Sequence, residues 1–306
     1  SDVQRQVRIP RGIGIDGNFQ INGPQYAADF TATEGGGSLR AKGTFDSRTL
    51  AYNVKATANR LQLQHFVPNM GLGPFTGDVT MLGHGTDILN PNSGAKISAN
   101  IRNFRYGNYD LSGIGGDIRL SNGMLHADVN STGSMVGGRF RVDGRLTAND
   151  VDLLIKGHIS RADLRQLGVM DQRYVVSADA DLHVKSDMKS NHSVVGHCGN
   201  FLLSENRSPQ DLVTLVSGDF DIDGSMRGNM VTGNFDGRLG SVDLYQMGVV
   251  EKPFTTSFGA NVDFRSDLDE SYDVRGMVCD LHVSDRLKSY DAGDLSVDIH
   301  TDKTAT

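Results

Sequence analysis

The chain has 306 residues, enough for about two domains or one extended one. Its 30 Lys and Arg against 37 Asp and Glu give a formal net charge of -7, which argues against a nucleic-acid partner. The densest apolar run, Leu212 to Val216, falls far short of the roughly 20 apolar residues that a membrane-crossing helix needs. Two cysteines, Cys198 and Cys279, are too few for a disulfide scaffold and form no metal knuckle.

Glycine is unusually frequent, 37 residues against only 7 prolines, without a collagen-like register. That suits many short strands with turns and kinks. Strict alternation of apolar and polar residues supplies the strands. In chain order it appears in Ile97 to Arg102, Leu125 to Asn130, Ala178 to Lys185, Phe220 to Asp223, Ala260 to Arg265 and Leu295 to His300. Turn signals stand at Ser121-Asn122-Gly123, Val142-Asp143-Gly144 and Asn234 to Gly237. The expected fold is all-β, an antiparallel meander with one wet and one dry face. About 22 strands at roughly 4.8 Å spacing would make an unbroken sheet on the order of 100 Å long. Two short helices are expected, one from Ser208 with Pro209 at its first position, the other over Ser160 to Gly168. The chain starts without a charged, then apolar, leader and begins and ends inside strand-like patterns. It is therefore expected to be one elongated repetitive domain, 1–306, cut from a longer protein.

A phrase recurs at 60–67, 161–169 and 241–249, its central leucines being Leu63, Leu164 and Leu244. Two copies read Asp-Leu-x-x-Leu/Met-Gly, Asp163 to Gly168 and Asp243 to Gly248, whereas the first has Gln62 for Asp and Phe66-Val67 for the final pair. With the alternating Gly- and Asp-rich strands, this phrase resembles the TamB/AsmA-like family. The resemblance implies a long sheet curled into an open U-shaped groove (a β-taco) with an apolar concave side. It also implies a periplasmic location in a Gram-negative cell, with a tether to the inner membrane through a segment outside this sequence. The expected partners are a phospholipid or other acyl-chain ligand and an outer-membrane barrel assembly protein. The implied roles are phospholipid transport and outer-membrane protein assembly.

The residues expected to line the groove are Leu125, Ala127, Val129, Ala178, Ala180, Leu182, Val184, Phe220, Ile222, Ala260, Val262, Phe264, Leu295, Val297 and Ile299. The same positions would equally fill a closed sandwich core, so a structural stalk or adhesin-like module remains the alternative. No catalytic residue, metal or cofactor is expected. Gly12-x-Gly14-x-x-Gly17 is followed by strand-like alternation, not by the helix a dinucleotide needs. Asp219-x-Asp221-x-Asp223 opens like a calcium loop but has Met230 at the twelfth position, where glutamate is required. Cys279 shares parity with Leu281 and Val283 and is expected on the buried side, with both thiols free.

Overall fold

The computed structural model describes residues 10–87, 89–208, 211–268, 271–285 and 287–301. Strands take up 74% of the chain and helix 2%, and among the described residues no sheet closes into a barrel. The chain divides into two units, Ser1–Thr147 and Ala148–Thr306.

The first unit contains β1 (Gly14–Asn22), β2 (Gln25–Glu34), β3 (Gly37–Asp46), β4 (Ala51–Gln62), β5 (Pro74–His84), β6 (Gly94–Asn103), β7 (Arg105–Tyr106), β8 (Tyr109–Asp110), β9 (Ile114–Ser121), β10 (Met124–Thr132) and β11 (Val136–Leu146). Each long strand pairs antiparallel with the next, β7 and β8 forming a small hairpin set aside from the ladder. Asn122 and Gly123 both take positive φ, 52° and 71°, the pairing that a tight two-residue hairpin requires between β9 and β10. Helix α1 (Leu63–Phe66) and a 3-10 turn (Pro68–Met70) occupy the first copy of the repeated phrase.

The second unit is an uninterrupted antiparallel meander: β12 (Val151–Asp163), β13 (Tyr174–Ser186), β14 (Asn191–Ser208), β15 (Asp211–Arg227), β16 (Met230–Asp243), β17 (Phe254–Ser266), β18 (Tyr272–Asp285) and β19 (Lys288–Thr301). Here β12, β14, β16 and β18 each carry an extra residue relative to their neighbours, at the breaks Ile159/Ala162, Cys198/Phe201, Leu239/Val242 and Val278/Leu281. These bulges line up across the sheet, and a bulge bends its strand and sharpens the twist. Asn200 and Asp280 take positive φ, 49° and 51°, within two of them. Beyond this line lie the buried Asp163, Val175, Ser204, Leu215, Val242 and Thr256; Ala178 and Ala260 are buried at the line itself.

Both helices expected from the sequence are corrected. Ser208 ends β14 and Leu212 to Val216 lie in β15, paired to Leu203 through Asn206; residues 209–210 lie outside the described residues. Val213, Thr214 and Val216 are β-branched and suit a ladder better than a helix. Ser160 to Asp163 belong to β12, and Leu164 to Gly168 make a hydrogen-bonded turn. Val142 to Gly144 and Asn234 to Gly237 are not turns but strand interiors, in β11 and β16.

Copies two and three of the phrase fold alike. Asp163 Oδ1 accepts from the Gln166 amide at 3.0 Å, and Asp243 Oδ1 from the Gln246 amide at 2.9 Å. In each, the valine amide (Val169 or Val249) donates to the leucine carbonyl (Leu164 or Leu244) at 2.9 Å, across a left-handed glycine, Gly168 or Gly248. With Gln62 in place of the aspartate, the first copy lacks that cap and winds into α1 instead.

Only twelve apolar side chains are buried among the described residues, and Leu215 is the one large side chain that is fully so.

Candidate functional site

Register fixes which side chains share a face. In the second unit one row runs Ile155, Leu182, Gly196, Ile222, Phe235, Val262, Gly276 and Val297. The rows beside it are Gly157, Ala180, Cys198, Phe220, Gly237, Ala260, Val278 and Leu295, and Leu153, Val184, Val194, Gly224, Gly233, Phe264, Val274 and Ile299. Ala178 extends the face opposite Ile159. All twelve lining residues expected in this unit therefore stand on one side of the sheet. In the first unit Leu125, Ala127 and Val129 do the same, in rows that continue through Leu120, Ile118 and Gly116 to Tyr26, Ala28 and Phe30.

The face is not uniformly open. Ala127 is 5% exposed, whereas Phe19 is 64% and Ile21 is 74% exposed on β1, and Ile299 is 49% exposed on β19. Phe201, Phe220 and Phe235 form one aromatic cluster in the second unit, and two ring pairs lie on the first strands of the first unit. Phe19 stacks on Phe30 with ring centroids 5.6 Å apart, and Tyr26 meets Phe45 at 6.2 Å. With Ile21 and Val54 these rings line a cavity of about 310 Å³. Sequence reading missed this group because its alternation is broken by glycines such as Gly17 and Gly43. Those glycines belong to the face. A Cβ on Gly237 would sit 2.4 Å from the Phe220 Cβ, and one on Gly233 would sit 2.6 Å from the Phe264 ring. Large rings thus lie over bare backbone on the neighbouring strand.

The opposite face is held by cross-strand polar pairs. His158 and Asp179 meet at 2.7 Å, His183 and Asp152 at 2.6 Å, His197 and Asp221 at 2.8 Å, and Lys156 and Asp181 at 2.8 Å. His126 contacts Asp143, and Arg141 reaches Asp128 at 3.0 Å. The Arg141 bond holds the Asp128 carboxyl below its ordinary range, and Thr57 followed by Arg102 does the same for Asp78. Each of these carboxylates is matched across the ladder, and such opposite-charge pairs stabilise a sheet. Asp219, Asp221 and Asp223 belong to this face, alternating with Phe220 and Ile222.

The two free thiols lie on opposite sides. Cys198 is on the apolar face, and burial, then Asp221, pushes its thiol pKa up. Cys279 opposes Gly259 on the polar face and is exposed, correcting the buried expectation. The bulge between Val278 and Leu281 breaks the parity that linked it to Leu281 and Val283. Among the described residues, no three His, Cys, Asp or Glu side chains come together as a metal site.

Comparison with protein-family models, characterised proteins and solved structures gives no match. The geometry therefore speaks alone. An apolar sheet face with few convergent polar groups offers contact area rather than directed chemistry, which suits hydrocarbon more than a polar metabolite.

Proposed function

We propose that this chain is a groove segment of a TamB/AsmA-like protein that binds acyl chains. In this reading it works in the periplasm, tethered to the inner membrane through a segment outside the sequence. It guides phospholipid toward the outer membrane, beside a barrel assembly partner in outer-membrane protein assembly. The observation that carries the reading is the continuous apolar face in each unit, with few buried side chains behind it. Burying a methylene is worth about 0.8 kcal/mol, so even half-burying a typical acyl chain yields on the order of 5 kcal/mol. Such contacts have no preferred position along a row, and a chain held by them can slide.

Photoreactive residues at Leu182, Val262 and Val297, three members of one row, test the reading. They are expected to crosslink phospholipid, while the same label at Asp181 or Asp263 on the other face stays silent. Equal labelling of both faces would refute an acyl-binding groove.

A further inference from the structure

The second unit carries fifteen Lys or Arg against twenty-six Asp or Glu, a net charge of -11, yet one cavity in it is ringed by arginine. This space of about 600 Å³ lies where β12, β13 and β14 meet the second phrase turn, with Arg165, Arg173 and Arg207 in its lining. Asp163 also lines it, but its carboxylate is already engaged. Oδ1 accepts from the Gln166 amide, Oδ2 accepts from Gln166 Nε2 at 2.9 Å, and the Arg161 guanidinium stands 3.6 Å away. Arg207 pairs with Glu205 at 2.7 Å. Arg165 and Arg173 have no ion-pair partner among the described residues, and Asp171, between them in sequence, is not part of the lining.

Apolar side chains stand out from the same turn. Val169 is 64% exposed, with Met170 beside it. The third phrase turn, four strands along and hence about 19 Å away, raises Val249, Met247 and Tyr245 in the same way. Arg207, in the lining of the cavity beside the second turn, donates from Nη2 to Gln246 Oε1 of the third turn.

We propose that this end of the second unit docks on an anionic bilayer surface, with Arg165 and Arg173 taking a lipid phosphate and the valine and methionine tips entering the interface. Guanidinium forks suit phosphate oxygens, and apolar tips beside cations suit the boundary between headgroups and acyl chains. The tips favour a membrane over free phosphate, which has nothing to offer them. This surface needs no acyl chain in the groove, so it goes beyond the function proposed above.

The test is flotation of the full chain with vesicles of phosphatidylglycerol and phosphatidylcholine, against phosphatidylcholine alone. Binding is expected only to the anionic vesicles and is expected to weaken as salt rises. R165E/R173E should lower it by about tenfold or more, and Val169→Asp should also weaken it. Lys189→Glu, at the opposite end of β13, controls for a charge reversal away from this surface and should leave binding near that of the unaltered chain. Circular dichroism verifies that each variant is folded. Equal flotation with both vesicle types, undiminished binding of R165E/R173E, or full competition by inorganic phosphate would overturn the proposal. Failed crosslinking at Leu182 with intact flotation would remove the groove reading alone, and the reverse result would remove only this one.

Discussion

The two units solve the same problem with different strands. In the first, the described ladder strands are 8 to 12 residues long, and among the described residues the register shifts fall on β4 and β6. In the second, the described strands run 13 to 18 residues; β12, β14, β16 and β18 are bulged at a common level, and β14, β15 and β19 carry a further register shift each. Their charges differ as well, fifteen basic against eleven acidic residues in the first unit and a net -11 in the second. Both nonetheless keep one apolar face. The comparison separates what the fold requires, which is register, from what it adjusts, which is strand length and charge. A strand of about 15 residues spans roughly 50 Å, and twist accumulates over that length. Aligned bulges let the longer strands turn, and the stretch beyond them is where the second unit hides its few buried residues.

The largest expected effect tests that difference in burial. Leu215→Ala in the second unit should cost about 2–5 kcal/mol in urea unfolding, as for other fully buried leucines. Ile21→Ala on the open β1 face should cost about 0.5 kcal/mol or less. Equal costs would mean that the buried corner has no special role. A smaller effect reads the bulges directly. Both Asn200→Val and Asn200→Gly give up the bond from Asn200 Nδ2 to Asp179, so the bulge is read in their difference: valine should be less stable than glycine by about 1–2 kcal/mol, because a β-branched residue resists positive φ.

The hairpin turns give a pH test. Asp187 accepts from the amides of Lys189, Ser190 and Asn191, and Asp46 in the first unit accepts from those of Arg48 and Thr49. Both carboxyls are held below the ordinary value of 3.8, Asp187 far below it, chiefly by the Asn191 amide. A depressed folded pKa adds stability above the unfolded value, and that stability is lost as pH falls through the folded one. The stability gap between the unaltered chain and Asp187→Asn should therefore be full at pH 7 and shrink below about pH 4. The corresponding gap for Asp46→Asn should be smaller throughout, and a gap independent of pH would exclude the mechanism. The mildest prediction concerns thiols: Cys279 should react with maleimide severalfold faster than Cys198, whose thiol is half-buried and raised in pKa.

The dry face was legible from alternation because a period of two survives any number of hairpins. Its fifteen named residues fall on one side of their sheets. The face was under-read where glycine replaced an apolar side chain, as at Gly196 and Gly276. There the neighbouring strand supplies the bulk, which no single-strand pattern reveals. Turn-like strings at Asp143-Gly144 and Asp236-Gly237 misled for the same reason. Cys279 was placed on the wrong side because parity was counted through a bulge. Ser208 followed by Pro209 looks like the cap and first position of a helix, and the apolar run Leu212 to Val216 has no strand period to oppose that reading; pairing to β14 decides it. The aromatic cavity on β1 to β4 and the arginine cavity depend on residues distant in sequence, and only folding brings them together.

The extra residues on β12, β14, β16 and β18 fall on alternate strands, all of which run the same way. A duplication or deletion of one hairpin would leave both the corner and the sidedness intact, whereas gain or loss of a single strand would bring together two strands bulged at this level, or two not bulged at it, with their directions mismatched. Length variation in such a protein should therefore come in hairpin-sized increments. The 80 residues between Leu164 and Leu244, two hairpins apart, fit that unit of growth.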